Sequence, residues 1–293
     1  MRPGREAELA GNPHSAPTIE TPPDAALDRV KFVTLHAANP GPMTGSGNWT
    51  YLVPGPGPLL VDAGVGHASH VDQVAAAAAP GGPAVVAVTH AHSDHIGGAT
   101  ALRARMPAAR FVKMPWPDAD AAYDVPWEAL TDGQVIETGE GPLTVVHTPG
   151  HAPDHVVLWH EASRTAFTGD LLVRGSTVVI PASRGGVLAD YLRSLGRLAA
   201  LAPRRALPAH GPLIDDPLAV IDGYLAHRRD RERQVLEALA GGPATIPAIV
   251  ARLYRDLHPA LVAMAEESVL AHLVMLEGDA RAARDGAAWR LTG

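Results

Sequence analysis

Seven side chains in four short stretches could do chemistry together. THAHSDHIGG at 89–98 carries His90, His92, Asp94 and His95, and TPGHAPDH at 148–155 carries His151. FTGD at 167–170 ends on Asp170, and LPAHG at 207–211 holds His210. Imidazole nitrogens and carboxylate oxygens suit borderline divalent metals, zinc above all. Seven donors exceed what one tetrahedral ion takes. They fit two ions that share a bridging carboxylate and a bridging hydroxide, the arrangement of metal-assisted hydrolysis. Zinc brings the pKa of water from about 15.7 to about 7 and polarises a carbonyl or phosphoryl oxygen. Asp94 could also orient the attacking water or pass its proton.

Each donor follows an apolar run of strand type, and this is how the chain would position it. AVVAVT at 84–89 leads straight into His90, and a helical pattern resumes at 97–106. That order puts His90 to His95 at the carboxyl end of a strand, where open α/β sheets bind ligands. In the tight H-x-H turn both imidazoles can face one ion, while Asp94 and His95 turn toward a second. Earlier strands are expected in VKFVTLHA, NWTYLVP and PLLVDAG, the last two joined by a hairpin at PGPGP, 54–58. Further strands are expected at 109–113, 134–137, 143–147, 155–160, 164–168 and 205–208. Helices are expected at 67–79, with Ser69 as its cap, and at 187–201, where Leu188, Leu192, Leu195 and Leu198 line one face.

The character changes after HGPLIDDP. A long helix over 217–240 opens on Pro217 and stops at Gly241-Gly242. Helices at 245–256 and 259–277 follow, and RAARDGAAWRLTG reads as a hairpin turned at Asp285-Gly286. Three helices and a hairpin outline a winged helix. The expected division is a loosely ordered tail over 1–28, a catalytic domain over 29–216 and a winged-helix domain over 217–293, with the long helix shared.

Composition narrows the function. A net charge of −7 over 293 residues argues against electrostatically driven nucleic-acid binding. Zero cysteines exclude disulfides, thiolate metal sites and cysteine nucleophiles. Neither a secretory signal nor an apolar run long enough to span a bilayer is evident, so a cytoplasmic protein with no membrane partner is expected. A homodimer is compatible with this reading. His36, His67, His70, His160, His258 and His272 lack ligand spacing and read as core or surface side chains. Tyr191 reads as core packing, and Arg174 and Arg184 stand in loops where an anionic substrate or bulk water could meet them. The interleaved acids of His227-Arg228-Arg229-Asp230-Arg231-Glu232-Arg233 favour a solvated or domain-docking helix face over a phosphate grip.

These motifs resemble the metallo-β-lactamase superfamily. The resemblance implies an αβ/βα sandwich, an α/β fold of two mixed sheets between helical layers. It implies His90, His92 and His151 on one ion, Asp94, His95 and His210 on the other, and Asp170 between them. Asp62 of LLVDAG matches the family's upstream aspartate, which orients a ligand, and His155 is expected to hold a hydrogen bond beside the ligands or to serve structure alone. The ions would be two Zn2+, or Fe or Mn. NPGPMTGSGNWTYLV, YLAHRRDRERQVLEAL and VLAHLVMLEGD resemble the lactamase-beta-2-like branch with its C-terminal winged helix. The expected substrate is a single-stranded-RNA-like phosphodiester or a small ester or thioester. A thioesterase or lactonase of glyoxalase II type is an alternative, as is a nucleic-acid-binding regulatory module with a vestigial metal site.

Overall fold

The computed structural model describes residues 30–41, 44–78 and 80–292, so the tail expected over 1–28 lies outside the described residues. The first sheet runs in the order β1 (Val33–His36), β2 (Trp49–Val53), β3 (Leu59–Val61), β4 (Val85–Val88), β5 (Arg110–Lys113), β6 (Trp127–Ala129). Its first two pairings are antiparallel and its last three parallel. The second sheet runs β11 (Arg205–Pro208), β10 (Thr165–Gly169), β9 (Val156–His160), β8 (Leu143–His147), β7 (Val135–Ile136). Only its β10–β11 pairing is parallel.

Successive strand side chains point to opposite faces, and this sorts the core into layers. Tyr51, Val53, Leu59, Val61 and Ala87 point between the sheets, where they meet Val145, Val156, Leu158, Phe167 and Leu207. There Phe32, Tyr51 and Phe167 pack edge to face, with ring centres 5.7 to 6.3 Å apart. The alternate residues Leu52, Leu60, Val86 and Val88 face α1 (Ala68–Ala77) and α3 (Ala99–Arg105). Behind the second sheet, α5 (Leu188–Ala200) buries Leu188, Tyr191, Leu195 and Leu198.

Helix α6 (Pro217–Ala240) belongs to two cores. Ile221 and Tyr224 pack into the layer behind the second sheet, whereas Val235, Ala238 and Leu239 enter a separate cluster. That cluster is built from α7 (Ile246–Leu253), α8 (Val262–Gly278) and a small sheet of β12 (Ala244–Thr245), β13 (Ala282–Asp285) and β14 (Ala288–Leu291). Glu267 of α8 accepts hydrogen bonds from the backbone N–H (3.0 Å) and hydroxyl of Ser183, which fastens the winged helix to the loop after Asp170.

Several expectations are corrected. Ser69 does not cap α1. His67 holds the cap position without a side-chain bond, and the Ser69 hydroxyl engages His67 Nδ1 at 2.9 Å instead. The helix expected over 97–106 is the shorter α3, which starts after Gly97 and Gly98, and a separate single turn, α2 (Ser93–Ile96), precedes it within the ligand motif. Strand β6 and the one-turn α4 (Pro117–Asp120) carry no apolar periodicity and were not expected. Pro259–Gly278 is long and apolar enough to cross a membrane, with a mean hydropathy of 1.5, where no such run was expected. Glu266 and Glu267 interrupt its sequence without lowering the average below the spanning range. Here it packs Ala265, Val269, Leu273 and Leu276 against Ile249, Val250 and Trp289.

Candidate metal centre

The seven expected ligands meet at one edge of the sandwich, on the loops that leave β4, β8, β10 and β11. His90 leaves β4, and His92 precedes α2, whose single turn carries Asp94 and His95. His151 lies in the β8–β9 loop, Asp170 directly follows β10, and His210 follows β11. Two glycines permit this convergence. Gly150 has φ +132, and a Cβ there would come within 2.2 Å of the Tyr191 backbone nitrogen. Gly169 has φ +46, and its Cβ would press on Thr89 and His155.

Two donor clusters share this space. His92 Nδ1 lies 3.0 Å from His90 Nε2 and 2.8 Å from His151 Nε2. Three nitrogens bound to one tetrahedral zinc at about 2.0 Å would stand about 3.3 Å apart, so this triangle fits an ion after a slight expansion. In the second cluster His210 Nε2 lies 3.1 Å from Asp94 Oδ2, and His95 Nε2 lies 3.5 Å from that oxygen. Asp170 spans both clusters. Its Oδ1 is 3.4 Å from His95 Nε2 and 3.3 Å from His210 Nε2, and its Oδ2 is 3.4 Å from His151 Nε2. His95 Nε2 and Asp170 Oδ1 are buried yet complete no hydrogen bond, as expected of donors aimed at a common point.

The clusters also differ in charge. Burial holds His90 well below the ordinary histidine range, His92 down at about 3 and His151 low, so these rings present free lone pairs. Burial also disfavours charge on His95 and His210, but carboxylates outweigh it. Asp62, Asp170 and Asp94 hold His95 well above its usual value, and the close carboxylates of Asp170 and Asp94 lift His210 to about 9. Burial alone would raise Asp170 and Asp94; the neighbouring His95 and His210 pull both down.

Asp62 and His155 stand behind the ligands. Asp62 has φ 65, a left-handed conformation that aspartate tolerates better than most residues. Its Oδ2 accepts from His95 Nδ1 at 2.8 Å, and its Oδ1 accepts from the Thr89 N–H at 2.7 Å. The Thr89 hydroxyl stands 3.1 Å from His90 Nδ1. His155 Nε2 accepts from the Asp170 backbone N–H at 3.1 Å, which leaves Nδ1 to donate to the Thr148 hydroxyl at 2.8 Å. His155 thus fixes the backbone that carries Asp170.

Other residues of the site were not singled out from sequence. Asn48, fully buried, donates to the Asp94 carbonyl at 2.6 Å, and Trp49 donates its indole N–H to the Gly211 carbonyl at 3.0 Å. Thr89 is a third, and the pair Lys113 and Asp154, 3.0 Å apart and buried, ties β5 to the His151 loop. Asn48 in NWT and Asp154 in HAPDH sit inside quoted motifs, so adjacency was the available signal; Lys113 gave none. Tyr191 is core, donating to the Leu171 carbonyl at 2.8 Å. Arg174 and Arg184 are exposed and line no part of the adjoining cavity. His70, His160 and His272 are buried away from the donors.

A cavity of about 610 Å³ opens above His151, Asp170 and His210. Leu172, Val178 and Ile180 line it from the catalytic side, and Leu257, Leu261 and Met264 from the winged helix. Two facing mixed sheets with a convergent His/Asp cluster at one edge define a metal-dependent hydrolase. The chain belongs to the metallo-beta-lactamase superfamily, whose model matches residues 43–210, and carries a beta-lactamase associated winged helix domain over 245–289. It is 30% identical over 268 residues to the beta-lactamase-like protein 2 homolog of Drosophila melanogaster, covering 85% of this chain and 88% of that one. It is 34% identical to an atrochrysone carboxyl ACP thioesterase of Aspergillus chevalieri, covering 74% and 68% respectively. A metallo-beta-lactamase family protein from Thermus thermophilus shares the fold with TM-score 0.75 and 23% identity, covering 89% of this chain and 98% of that one. A protein solved in a di-iron-bound form matches with TM-score 0.52 and 28% identity, covering 63% and 96%.

Proposed function

We propose that the chain is a dinuclear metal-dependent thioesterase or esterase acting on a small, largely apolar acyl substrate. His90, His92 and His151 would hold one ion, Asp94, His95 and His210 the other, and Asp170 would reach both. Zinc is the first expectation from the donor set, with iron and manganese as alternatives. When bound, such ions supply Lewis-acid polarisation of the ester carbonyl and acidification of water.

The chain's own residues do the rest. Asp170 lines the cavity floor and Asp94 stands behind it against His210; both are ionised, so either can accept a proton from the attacking water. Asp62 keeps the His95 ring oriented through its Nδ1, and His155 keeps Asp170 in place through the backbone. The apolar walls hold an acyl chain and exclude bulk water from the reacting carbonyl.

The single observation carrying this reading is an apolar cavity over the cluster, walled on one side by the winged helix. The similarity to an ACP thioesterase supports it. A phosphodiester strand would instead call for a basic groove, and the chain is acidic overall. The test is hydrolysis of an acyl thioester, bis(p-nitrophenyl) phosphate and a short single-stranded RNA by one metal-quantified sample, with and without chelator. Chelator-sensitive thioester cleavage well above the other two is expected. Protein inert to all three that binds DNA tightly in moderate salt would falsify the enzyme reading.

A further inference from the structure

The winged-helix side of the cavity holds two guanidinium groups without acidic partners. Arg228 is 3% exposed and Arg231 half-buried; both line the cavity that also exposes His151, Asp170 and His210. Among the described residues, neither guanidinium lies within 4.0 Å of a carboxylate. The interleaved acids of the run are engaged elsewhere. Asp230 and Glu237 pair with Arg233 at 2.8 and 2.7 Å, and Glu232 pairs with Arg281. Helical spacing explains the division: Tyr224, Arg228, Arg231 and Val235 share the inward face, whereas Asp230, Arg233 and Glu237 face water.

What Arg228 does touch leaves its guanidinium incompletely hydrogen-bonded. One Nη donates to the Val178 carbonyl, and the guanidinium lies 5.6 Å from the centre of the Tyr191 ring. Arg231 lies 4.3 Å from the Tyr254 ring centre and donates to Gln234 at 2.8 Å. The Nε atoms of both arginines and Nδ1 of the neighbouring His227 are buried without partners. A buried cation with neither counter-ion nor full hydrogen bonding is costly, and proteins rarely keep one without a ligand for it. Its place is telling as well. The Val179 carbonyl, one residue from the carbonyl that holds Arg228, takes the Nδ1 proton of His151 at 2.8 Å.

We infer that Arg228, assisted by Arg231, is a specificity site for an anionic group, carboxylate or phosphate, on the non-reacting part of the substrate. The proposal rests on the thioesterase reading and deepens it. The substrate class becomes an amphiphilic acyl ester or thioester with an apolar body and one oxyanion held away from the scissile bond. Guanidinium supplies paired N–H donors that match either oxyanion.

The anion could sit on the acyl side or the thiol side, and two substrate pairs separate these sources. The first pair is hexanoyl and adipoyl N-acetylcysteamine, which differ by a terminal carboxylate. The second is hexanoyl pantetheine and hexanoyl 4′-phosphopantetheine, which differ by a phosphate. In one pair the wild-type protein should prefer the anionic member in kcat/KM by about ten- to a hundredfold. Arg228→Met should bring that ratio close to one, Arg228→Lys should restore part of it, and the exposed control Arg229→Met should leave it unchanged. Equal rates within both pairs, or a preference that survives Arg228→Met, overturn the proposal. Calorimetric titration with 1-hexanesulfonate, a poor metal ligand, reads the anion site without turnover. Saturable binding lost in Arg228→Met supports the site, and no binding to the wild type overturns it. Failure to cleave any thioester, with sulfonate binding intact, removes the thioesterase reading alone.

Discussion

The floor and the far wall of one cavity are built on opposite rules. On the floor, every charge has an opposite beside it: His95 and His210 face Asp94 and Asp170, and Asp62 braces His95 from behind. On the wall, apolar side chains of the winged helix stand beside guanidinium groups that, among the described residues, pair with no carboxylate. A mutually neutralised floor can be preassembled and wait for ions. An unneutralised wall is finished only by something that arrives. On the proposed reading, the β-sandwich does the chemistry and the long helix shared with the winged helix does the selecting.

The largest expected effect breaks the floor. Asp170→Ala removes the one carboxylate that reaches both clusters, and kcat should fall by about a thousandfold, several kcal/mol of lost stabilisation. Steady-state kinetics on protein of known metal content checks this, and a loss under tenfold would show that Asp170 does not bridge. Asp62→Ala should act through affinity instead. Metal binding should weaken by about 10- to 100-fold while saturating metal restores most activity, measured by competition with a chromogenic chelator. Met264→Ala probes the wall. It should lower kcat/KM for a long apolar acyl substrate about three- to tenfold and leave a short acetyl substrate nearly unchanged.

A last effect lies outside the cavity and reads stability rather than turnover. Burial lowers His70 to about 4 in the folded protein, against an ordinary 6.5. Between those values the unfolded chain binds a proton that the folded one refuses, so stability is whole above pH 6.5 and falls as pH drops toward 4. The loss from this one ring is about 3 kcal/mol. Denaturant unfolding of wild type and His70→Leu at pH 7.5 and 4.5 should show a shallower acid loss in the variant; equal losses would contradict it.

How much of this was legible in the sequence depended on locality. The donors of 89–98 are neighbours in the chain and stand at the end of an uninterrupted apolar strand, so type and spacing sufficed. His151, Asp170 and His210 repeat the strand-then-ligand order, which brought distant segments into one proposal. Asn48, Lys113 and Asp154 gave no such sign, because their parts depend on which loops the sandwich lays against each other. The run at 227–233 reads as a solvated or domain-docking helix face, and the structure divides it between the two. Helical spacing turns Arg228 and Arg231 inward, Arg228 docking on the Val178 carbonyl, and leaves the acids to Arg233 and Arg281; which of the cations would face the cavity was not legible from the charge pattern. The membrane-length run at 259–278 failed in reverse, since two adjacent glutamates hid a high average hydropathy.

The most direct test of a two-ion floor is elemental analysis of the purified chain, with anomalous scattering to place whatever ions it holds. About two equivalents of transition metal are predicted per chain, one beside His90, His92 and His151 and one beside Asp94, His95 and His210. Protein that takes up no ion after incubation with zinc, iron or manganese, or that retains both ions in Asp170→Ala with full activity, would contradict the account.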